Sequence, residues 1–144
     1  MLVKYFSTTQ RAWHRFISRR LEQYHLGCMD HIFISYLGRR GEMTQEGLTR
    51  FVLMDKATIA KALARLEHMG YVSRTVNEKN KREKLVRLTE SGWDLYAVIR
   101  RAVDDWTEIC CEGMDEQTKS LFLQLCEQVS QQCAAYVTEG RELD

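Results

Sequence analysis

The stretch that decides the fold of this chain is residues 55–74, which read DKATIAKALARLEHMGYVSR. Asp55 has a short acceptor side chain that suits the N-cap of a helix. Apolar residues then recur at three- and four-residue steps, which predicts the buried face of that helix: Ile59, Leu63, Leu66 and Met69. Gly70 stands where a left-handed residue ends a helix, and residues 72–76 are predicted to form a strand.

The residues that follow predict the second half of a β-hairpin with a basic tip. Residues 77–83 are rich in polar side chains and are interpreted as a turn, and residues 84–88 as the returning strand. Thr89 is expected to cap the next helix, with Glu90 favourably placed in its first turn. The predicted tip carries four cations, which are Lys79, Lys81, Arg82 and Lys84.

Three helices are predicted before residue 55. Residues 4–24 have the apolar period of an amphipathic helix, and a second helix is expected over residues 29–37. Residues 38–41, with a glycine at each end, are interpreted as the clearest loop in the chain. Thr44 is a good N-cap for a short helix that continues through Phe51.

Two long helices are predicted after the hairpin, and the absence of proline from all 144 residues fits them. The first has an apolar seam with the spacing of a coiled coil, formed by Tyr96, Ile99, Val103, Trp106 and Cys110. Residues 113–115 break that helix and cap the next one. The second seam consists of Phe122, Cys126, Val129, Cys133 and Tyr136.

The net charge of +1 conceals a strong separation of charge along the chain. Residues 1–54 carry 8 basic and 4 acidic side chains, and residues 55–88 carry 9 basic and 4 acidic. Residues 89–144 carry 4 basic and 12 acidic side chains, a net of −8. A basic middle segment of this kind indicates binding to a polyanion, so the near-neutral total does not exclude a nucleic-acid partner.

A short helix, a tight turn, a second helix and a basic hairpin form the layout of a winged helix-turn-helix. We therefore predict a mainly α fold with a small β-hairpin wing. In this layout the second helix enters the major groove of DNA. There a Lys side chain can donate to the acceptors of guanine, and Ala or Thr can contact a thymine methyl group. Arg65 lies further along the helix, towards phosphate. The predicted DNA-binding residues are Thr44, Gln45, Lys56, Ala57, Thr58, Lys61, Arg65, Arg74, Lys79, Lys81, Arg82 and Lys84.

The sequence resembles the MarR family of transcriptional regulators. Residues 55–61 and 66–74 look like the recognition helix and first wing strand of that family, and residues 85–92 look like its second wing strand and threonine-glycine turn. The family usually has an Asp two positions before the wing Arg. Here that position is Asn80, before Arg82, so Arg82 is predicted to reach a minor groove rather than form an internal salt bridge.

The resemblance implies a homodimer that binds a palindromic operator. It implies dimerisation helices in residues 1–28 and 110–144, a DNA-binding domain in residues 29–92 and a connecting helix in residues 93–109. The terminal helices are also too apolar to stand alone, and the predicted interface residues are Phe6, Trp13, Trp106, Phe122, Val129 and Tyr136. Relatives bind small aromatic effectors between the dimer helices and the winged domain, which implies such a partner here.

The five cysteines are an odd number, which argues against a disulfide framework. Free cysteine is usually a small buried apolar residue, and that is the expectation here. The alternative is a redox sensor that uses Cys28, Cys110 or Cys111. His25, Cys28 and His31 are spaced by three residues, but a structural zinc site needs four ligands, so no metal is predicted.

No motif for catalysis or cofactor binding is present in the sequence, so we predict neither an enzyme nor a cofactor. No apolar run approaches the roughly 20 residues of a membrane span, and residues 1–13 lack the apolar block of a signal peptide, which predicts a cytoplasmic protein. The predicted function is that of a sequence-specific DNA-binding regulator, a repressor released by a small molecule or by stress. Two alternatives are a cysteine- or metal-sensing regulator of the same fold and a winged-helix protein–protein adaptor that does not bind DNA.

Overall fold

The computed structural model describes residues 1–139, and it contains six α-helices and three strands in that range. A single 3-10 turn at Glu22–Tyr24 follows the first helix. In chain order the elements are α1 (Leu2–Arg20), α2 (Asp30–Arg40), β1 (Met43–Thr44), α3 (Gln45–Val52), α4 (Lys56–His68), β2 (Val72–Asn77), β3 (Asn80–Leu88), α5 (Glu90–Cys110) and α6 (Glu116–Glu139). The predicted mainly α fold with a small β wing is confirmed.

The three strands form one antiparallel sheet in the order β1-β3-β2. The β2–β3 hairpin was expected, whereas β1 was not, because two residues are too few to show an alternating pattern. Met43 pairs with Val86 and Thr44 with Leu85, so β1 joins the start of α3 to the inner strand of the wing. The wing is therefore attached to the helix-turn-helix through main-chain pairing.

The hydrophobic core of residues 1–106 lies beneath α4 and is closed by α2, α3, the sheet and α5. The predicted buried face of α4 is confirmed, since Ile59, Leu63 and Leu66 are fully buried. Met69 is only half-buried because the helix ends at His68. The other elements contribute fully buried side chains to the same core, among them Phe33, Ile34, Leu37, Leu48, Val86, Leu95 and Ile99.

The predicted loop at residues 38–41 is wrong, because α2 continues to Arg40 and only Gly41 leaves the helix. Gly41 has a φ of +78°, which few residues other than glycine adopt without strain. Gly38 is helical, and the ring of Tyr96 packs so closely against it that a side chain would not fit there. A Cβ at position 38 would lie 2.3 Å from Cδ2 of Tyr96.

Two other helix predictions need correction. Helix α1 ends at Arg20 rather than continuing to Tyr24, and the 3-10 turn leads to His25, which has a φ of +52°. The buried side of α5 is formed by Leu95, Ile99 and Ala102, whereas Val103 is 40% exposed. The predicted seam is thus displaced by one residue at its first and third positions, where Leu95 and Ala102 rather than Tyr96 and Val103 face the core.

The chain divides into two compact units, Met1–Trp106 and Thr107–Asp144. In the second unit Asp115 caps α6, since the Thr118 amide donates to Oδ1 of Asp115 at 2.7 Å. Helix α6 exposes large apolar side chains along its length, including Leu121, Leu125, Val129, Tyr136 and Val137. None of the helices in residues 1–139 combines the length and hydropathy that a membrane span requires.

The threonine-glycine turn fastens the wing to α5. The Thr89 hydroxyl accepts from the Gly92 amide at 3.1 Å and donates to the Gly70 carbonyl at 2.5 Å. Gly92 packs directly on the main chain, and a Cβ there would lie 2.0 Å from the carbonyl oxygen of Tyr71. The absence of a side chain at Gly92 therefore fixes how closely the turn approaches the start of β2.

Replacing Gly92 with alanine is expected to lower the free energy of unfolding by about 2 kcal/mol, because a carbonyl oxygen cannot move aside as a flexible side chain can. Urea denaturation measures this change. Ser91→Ala is the control, since Ser91 is exposed and its replacement should change stability by less than about 0.5 kcal/mol. Equal stability of the two variants would show that the turn tolerates a side chain at position 92.

Candidate nucleic-acid interface

The start of α4 is fixed by a strong N-cap. Oδ1 of Asp55 accepts from the Thr58 amide at 2.8 Å, and Oδ2 accepts from the Thr58 hydroxyl at 2.5 Å. These two hydrogen bonds hold the pKa of the Asp55 carboxyl below its usual value. Because the hydroxyl proton of Thr58 is used by the cap, its methyl group and oxygen lone pairs are what it can offer to a partner.

The outward face of α4 carries uncommitted cations near the helix start. Lys56, Ala57, Thr58 and Lys61 are exposed, opposite the buried Ile59 and Leu63. Neither lysine forms an ion pair within residues 1–139, whereas the arginine further along the helix does. The side chains that were predicted to read bases are therefore exposed together on one side of the first two turns.

Arg65 is placed differently from the prediction that it faces phosphate. Its Nε donates to Oδ2 of Asp30 at 3.0 Å, and its Nη2 donates to Oδ1 of the same carboxylate. Asp30 is fully buried at the start of α2 and also accepts from the Gly27 amide at 2.7 Å. The hydrogen bonds to Asp30 raise the pKa of Arg65 and connect α4 to α2. Arg65 therefore positions α4, the predicted recognition helix, from within the chain.

Arg74 is also committed within the chain. Its Nε and Nη2 donate to Oε2 of Glu67 at 2.9 and 2.5 Å, and its side chain is only 17% exposed. The hydrogen bond from Arg74 holds the pKa of Glu67 below its usual value. The pair connects α4 to β2, so Arg74 aligns the wing with the recognition helix rather than offering a free cation.

The tip of the wing is a short turn followed by a bulge, which corrects the prediction of one long turn over residues 77–83. Asn77 pairs with Asn80 and Val76 pairs with Lys84, so residues 81–83 of β3 have no counterparts on β2. Such a bulge bends the strand and redirects its side chains. It makes Lys81 and Arg82 exposed cations on the wing.

Asn80 supports the backbone of the bulge rather than the side chain of Arg82. Its Oδ1 accepts from the Arg82 amide at 3.2 Å, and Nδ2 of Asn77 donates to Oε2 of Glu83 at 3.1 Å. Arg82 forms no ion pair with any residue in the range 1–139. Its guanidinium therefore stays available although the main chain around it is held.

The recognition helix and the wing line a shared groove with the start of α3. Thr44 caps α3 by accepting from the Gly47 amide at 2.9 Å, which makes it a positioning residue. Gln45 follows and lines the groove. The remaining lining residues include four cations and two carboxylates and come from all three elements, namely Glu46, Thr49, Lys56, Ala60, Arg74, Arg82, Glu83 and Lys84.

The predicted dimer-interface residues fall into two groups. Phe6, Val129 and Tyr136 are exposed, by 50%, 37% and 41% respectively, and Phe122 is half-buried. Trp13 and Trp106 instead pack within the first unit, with their ring centroids 5.6 Å apart. The Phe16 ring lies 5.2 Å from that of Trp106 and completes this cluster.

The expectation that the cysteines are buried is wrong for three of them, because Cys28, Cys126 and Cys133 are exposed. Cys111 is buried, and Cys110 is half-buried, with burial raising the pKa of its thiol. The Sγ of Cys28 lies 2.7 Å from Nε2 of His14. Residues 1–139 contain no group of three or more His, Cys, Asp or Glu side chains arranged to hold a metal ion.

These features define a winged-helix DNA-binding protein. A family model described as "Winged helix DNA-binding domain" matches residues 27–92, the range that holds α2, α3, α4 and the wing. The HTH-type transcriptional regulator YybA of Bacillus subtilis is 29% identical over 103 residues, which are 69% of each chain. A MarR transcriptional regulator from Methanosarcina mazei is 28% identical, with a TM-score of 0.85 over 91% of this chain and 94% of its own.

A protein described as a MarR family regulator from Listeria monocytogenes, solved in complex with a 26-mer DNA, has the same fold. Its TM-score is 0.88 over 99% of this chain and 97% of its own, at 22% identity. Residues 27–92 thus match a winged-helix DNA-binding domain, and the chain as a whole is similar to MarR-type transcriptional regulators.

Proposed function

We propose that this regulator binds duplex DNA as a homodimer at a palindromic operator and represses transcription until a small molecule or a stress signal releases it. The observation that supports this most is the exposed, unpaired pair Lys56 and Lys61 on the first two turns of α4. A helix start with this composition fits the major groove, which admits one α-helix.

Each element of the interface has a distinct proposed role. Lys56 and Lys61 donate to guanine, and Ala57 and Thr58 contact thymine methyls. Arg82, held out on the bulge, enters an adjacent minor groove, where the narrow width strengthens the negative potential. The groups that follow the phosphate backbone are Gln45, Lys79, Lys81 and Lys84.

The proposed dimer pairs the terminal helices of two chains. Residues 1–28 and 110–144 would form the interface, with residues 29–92 as the DNA-binding domain and 93–109 as the connection. Helix α6 supports this proposal, because it exposes a row of apolar side chains that water does not favour, such as Leu125, Val129 and Tyr136. Two winged domains would then reach half-sites roughly 34–36 Å apart.

The wing assignment predicts a change in salt dependence. For wild type, the logarithm of duplex affinity should fall linearly with the logarithm of salt concentration, because bound phosphates release counterions. Arg82→Ala is expected to reduce the magnitude of that slope by about one unit per half-site contact. Fluorescence anisotropy with a labelled duplex at several salt concentrations measures it.

Arg101→Ala is the matched control, because Arg101 is an exposed cation of α5 outside the proposed interface. Its slope should equal that of wild type. If Arg82→Ala keeps the wild-type slope, the wing does not contact DNA through Arg82. If wild type shows no salt-dependent binding to any duplex, the DNA-binding proposal fails and the protein–protein adaptor is the alternative to test.

A further inference from the structure

Helix α1 carries a row of arginines on its outer side. Residues 1–21 contain five Lys and Arg side chains and no acidic one, and Glu22 is the first carboxylate of the chain. Three of the five, Arg11, Arg15 and Arg19, follow one another at four-residue steps, which places them about 6 Å apart along the helix axis. These three residues are called the arginine ridge below.

The arginine ridge is exposed and has no counter-charge. None of its three side chains forms an ion pair with any residue in the range 1–139. The neighbouring Arg20 differs, since its Nη2 donates to Oδ2 of Asp105 at 2.6 Å and its guanidinium lies 5.1 Å from the centre of the Phe16 ring. Like charges four residues apart destabilise a helix by up to about 0.5 kcal/mol per pair. The ridge therefore does not stabilise α1, which indicates a role towards a partner.

The ridge points away from the helices on which α1 packs. Arg11 and Arg15 are two residues before and after Trp13, so both lie on the opposite side of the helix from it. The Trp13 ring packs edge-on against His31 of α2, with a centroid distance of 5.7 Å. The other residues on the same shallow surface as the ridge are polar, namely Gln10, His14 and Ser18.

The composition of this surface favours a nucleic acid over a protein as the partner. Protein–protein interfaces have an apolar centre, whereas protein–DNA interfaces are more polar and much more positively charged. The exposed large apolar side chains of α1 end at Phe6, so residues 7–20 offer no such centre. Arginine forms bidentate hydrogen bonds with phosphate, and hydroxyl and amide side chains such as Ser18 and Gln10 commonly add to such contacts.

The ridge is offset from the residues of α4 that are proposed to read bases. Arg65, which binds Asp30 at the start of α2, is nine residues beyond Lys56 and therefore about 13.5 Å further along the axis of α4. His31 is next to Asp30 and contacts the inner side of α1 through Trp13. The ridge also shares no residue with the groove beside the wing.

We propose that the arginine ridge is a second DNA-binding surface, independent of sequence, which holds the phosphate backbone of a duplex segment other than the one that α4 reads. The choice of duplex DNA as the polyanion rests on the proposed function, which brings DNA to the protein. With both surfaces occupied, one regulator holds two separate segments of DNA together.

Disabling the proposed base-reading side isolates the ridge. The variant Lys56→Ala/Lys61→Ala/Arg82→Ala should still bind a labelled random-sequence duplex of about 20 base pairs at about 50 mM salt, as measured by fluorescence anisotropy. Adding Arg11→Gln/Arg15→Gln should weaken that binding by at least about tenfold. It should also reduce the magnitude of the salt slope by about two units, because each phosphate contact contributes about 0.9.

The matched control is Arg100→Gln/Arg101→Gln in the same triple variant, since it removes two exposed arginines of α5. Its affinity and salt slope should equal those of the triple variant. Glutamine has nearly the helix propensity of arginine, so both pairs of substitutions should preserve the helical circular dichroism signal. Light scattering should give both the same mass as the unaltered chain.

The proposal is overturned if the triple variant binds no duplex, or if the α1 and α5 pairs of substitutions have equal effects. It is also overturned if Arg11→Gln/Arg15→Gln lowers the mass, because the ridge then contacts a second copy of the chain. Failure of the proposed function gives a different result, in which wild type and the triple variant bind the duplex alike. If only the ridge proposal fails, wild type keeps a salt-dependent binding that the triple variant lacks.

Discussion

Replacing Arg65 with methionine is expected to lower the free energy of unfolding by about 3 kcal/mol, because it leaves the buried carboxylate of Asp30 without its counter-charge. Methionine keeps most of the side-chain length, so packing changes little. This loss of about 3 kcal/mol is at the lower end of the range for breaking a buried ion pair. The Arg65 side chain is 42% exposed, so water can partly take over its contacts with Asp30. Urea denaturation at pH 7 measures the change.

Arg50→Met is the matched control. Arg50 pairs with Glu46 at 3.8 Å on the surface of α3, where both side chains are mostly exposed, so its loss should cost less than about 0.5 kcal/mol. Adding Asp30→Asn to Arg65→Met should recover part of the lost stability, since it removes the buried charge. If Arg65→Met lowers the free energy of unfolding no more than Arg50→Met does, the buried Asp30 carboxylate is stable without Arg65. The ion pair between α2 and α4 then contributes little to stability.

Replacing both Lys56 and Lys61 with alanine is expected to weaken operator binding by about 100-fold or more, since each base contact contributes about 1–3 kcal/mol. The fold should be unaffected, because both side chains are exposed and unpaired in the described part of the chain. Of the single variants, Lys61→Ala should relax the preference at one base position. Fluorescence anisotropy with the operator and with single-base variants of it measures both effects.

The double variant Arg100→Ala/Arg101→Ala removes the same number of charges from an exposed part of α5. It should bind the operator within about threefold of wild type. If it binds as weakly as the lysine variant, net charge rather than the face of α4 controls affinity. If Lys61→Ala weakens binding to all sequences equally, Lys61 contacts the backbone and not a base.

The recognition helix and the wing were predictable because their determinants are local. Asp55 and Thr58 are three residues apart, the buried stripe of α4 repeats within one helix, and the hairpin strands are adjacent in sequence. The four caps at Thr44, Asp55, Thr89 and Asp115 were predicted from residue type alone, and the structure confirms all four.

What could not be predicted depends on contacts between distant segments. Arg65 and Asp30 are 35 residues apart, so the sequence shows only an arginine on an outward-facing stretch of helix. The close packing of the Tyr96 ring on Gly38 joins residues 58 positions apart, and the exposure of Cys28 has no sign in the local sequence. The sequence showed only that Asp30 lies in the first turn of α2, a place where an acidic residue is common.

The most direct test of the central claim is selection of binding sites by the full-length protein from a library of random duplex DNA. The account predicts an enriched palindrome whose half-sites are centred about one helical turn, roughly 10–10.5 base pairs, apart. It also predicts that Lys61→Ala enriches a motif with relaxed preference at one position in each half. Recovery of no motif, or of a motif identical for wild type and Lys61→Ala, would contradict the assignment of α4 as the helix that reads DNA.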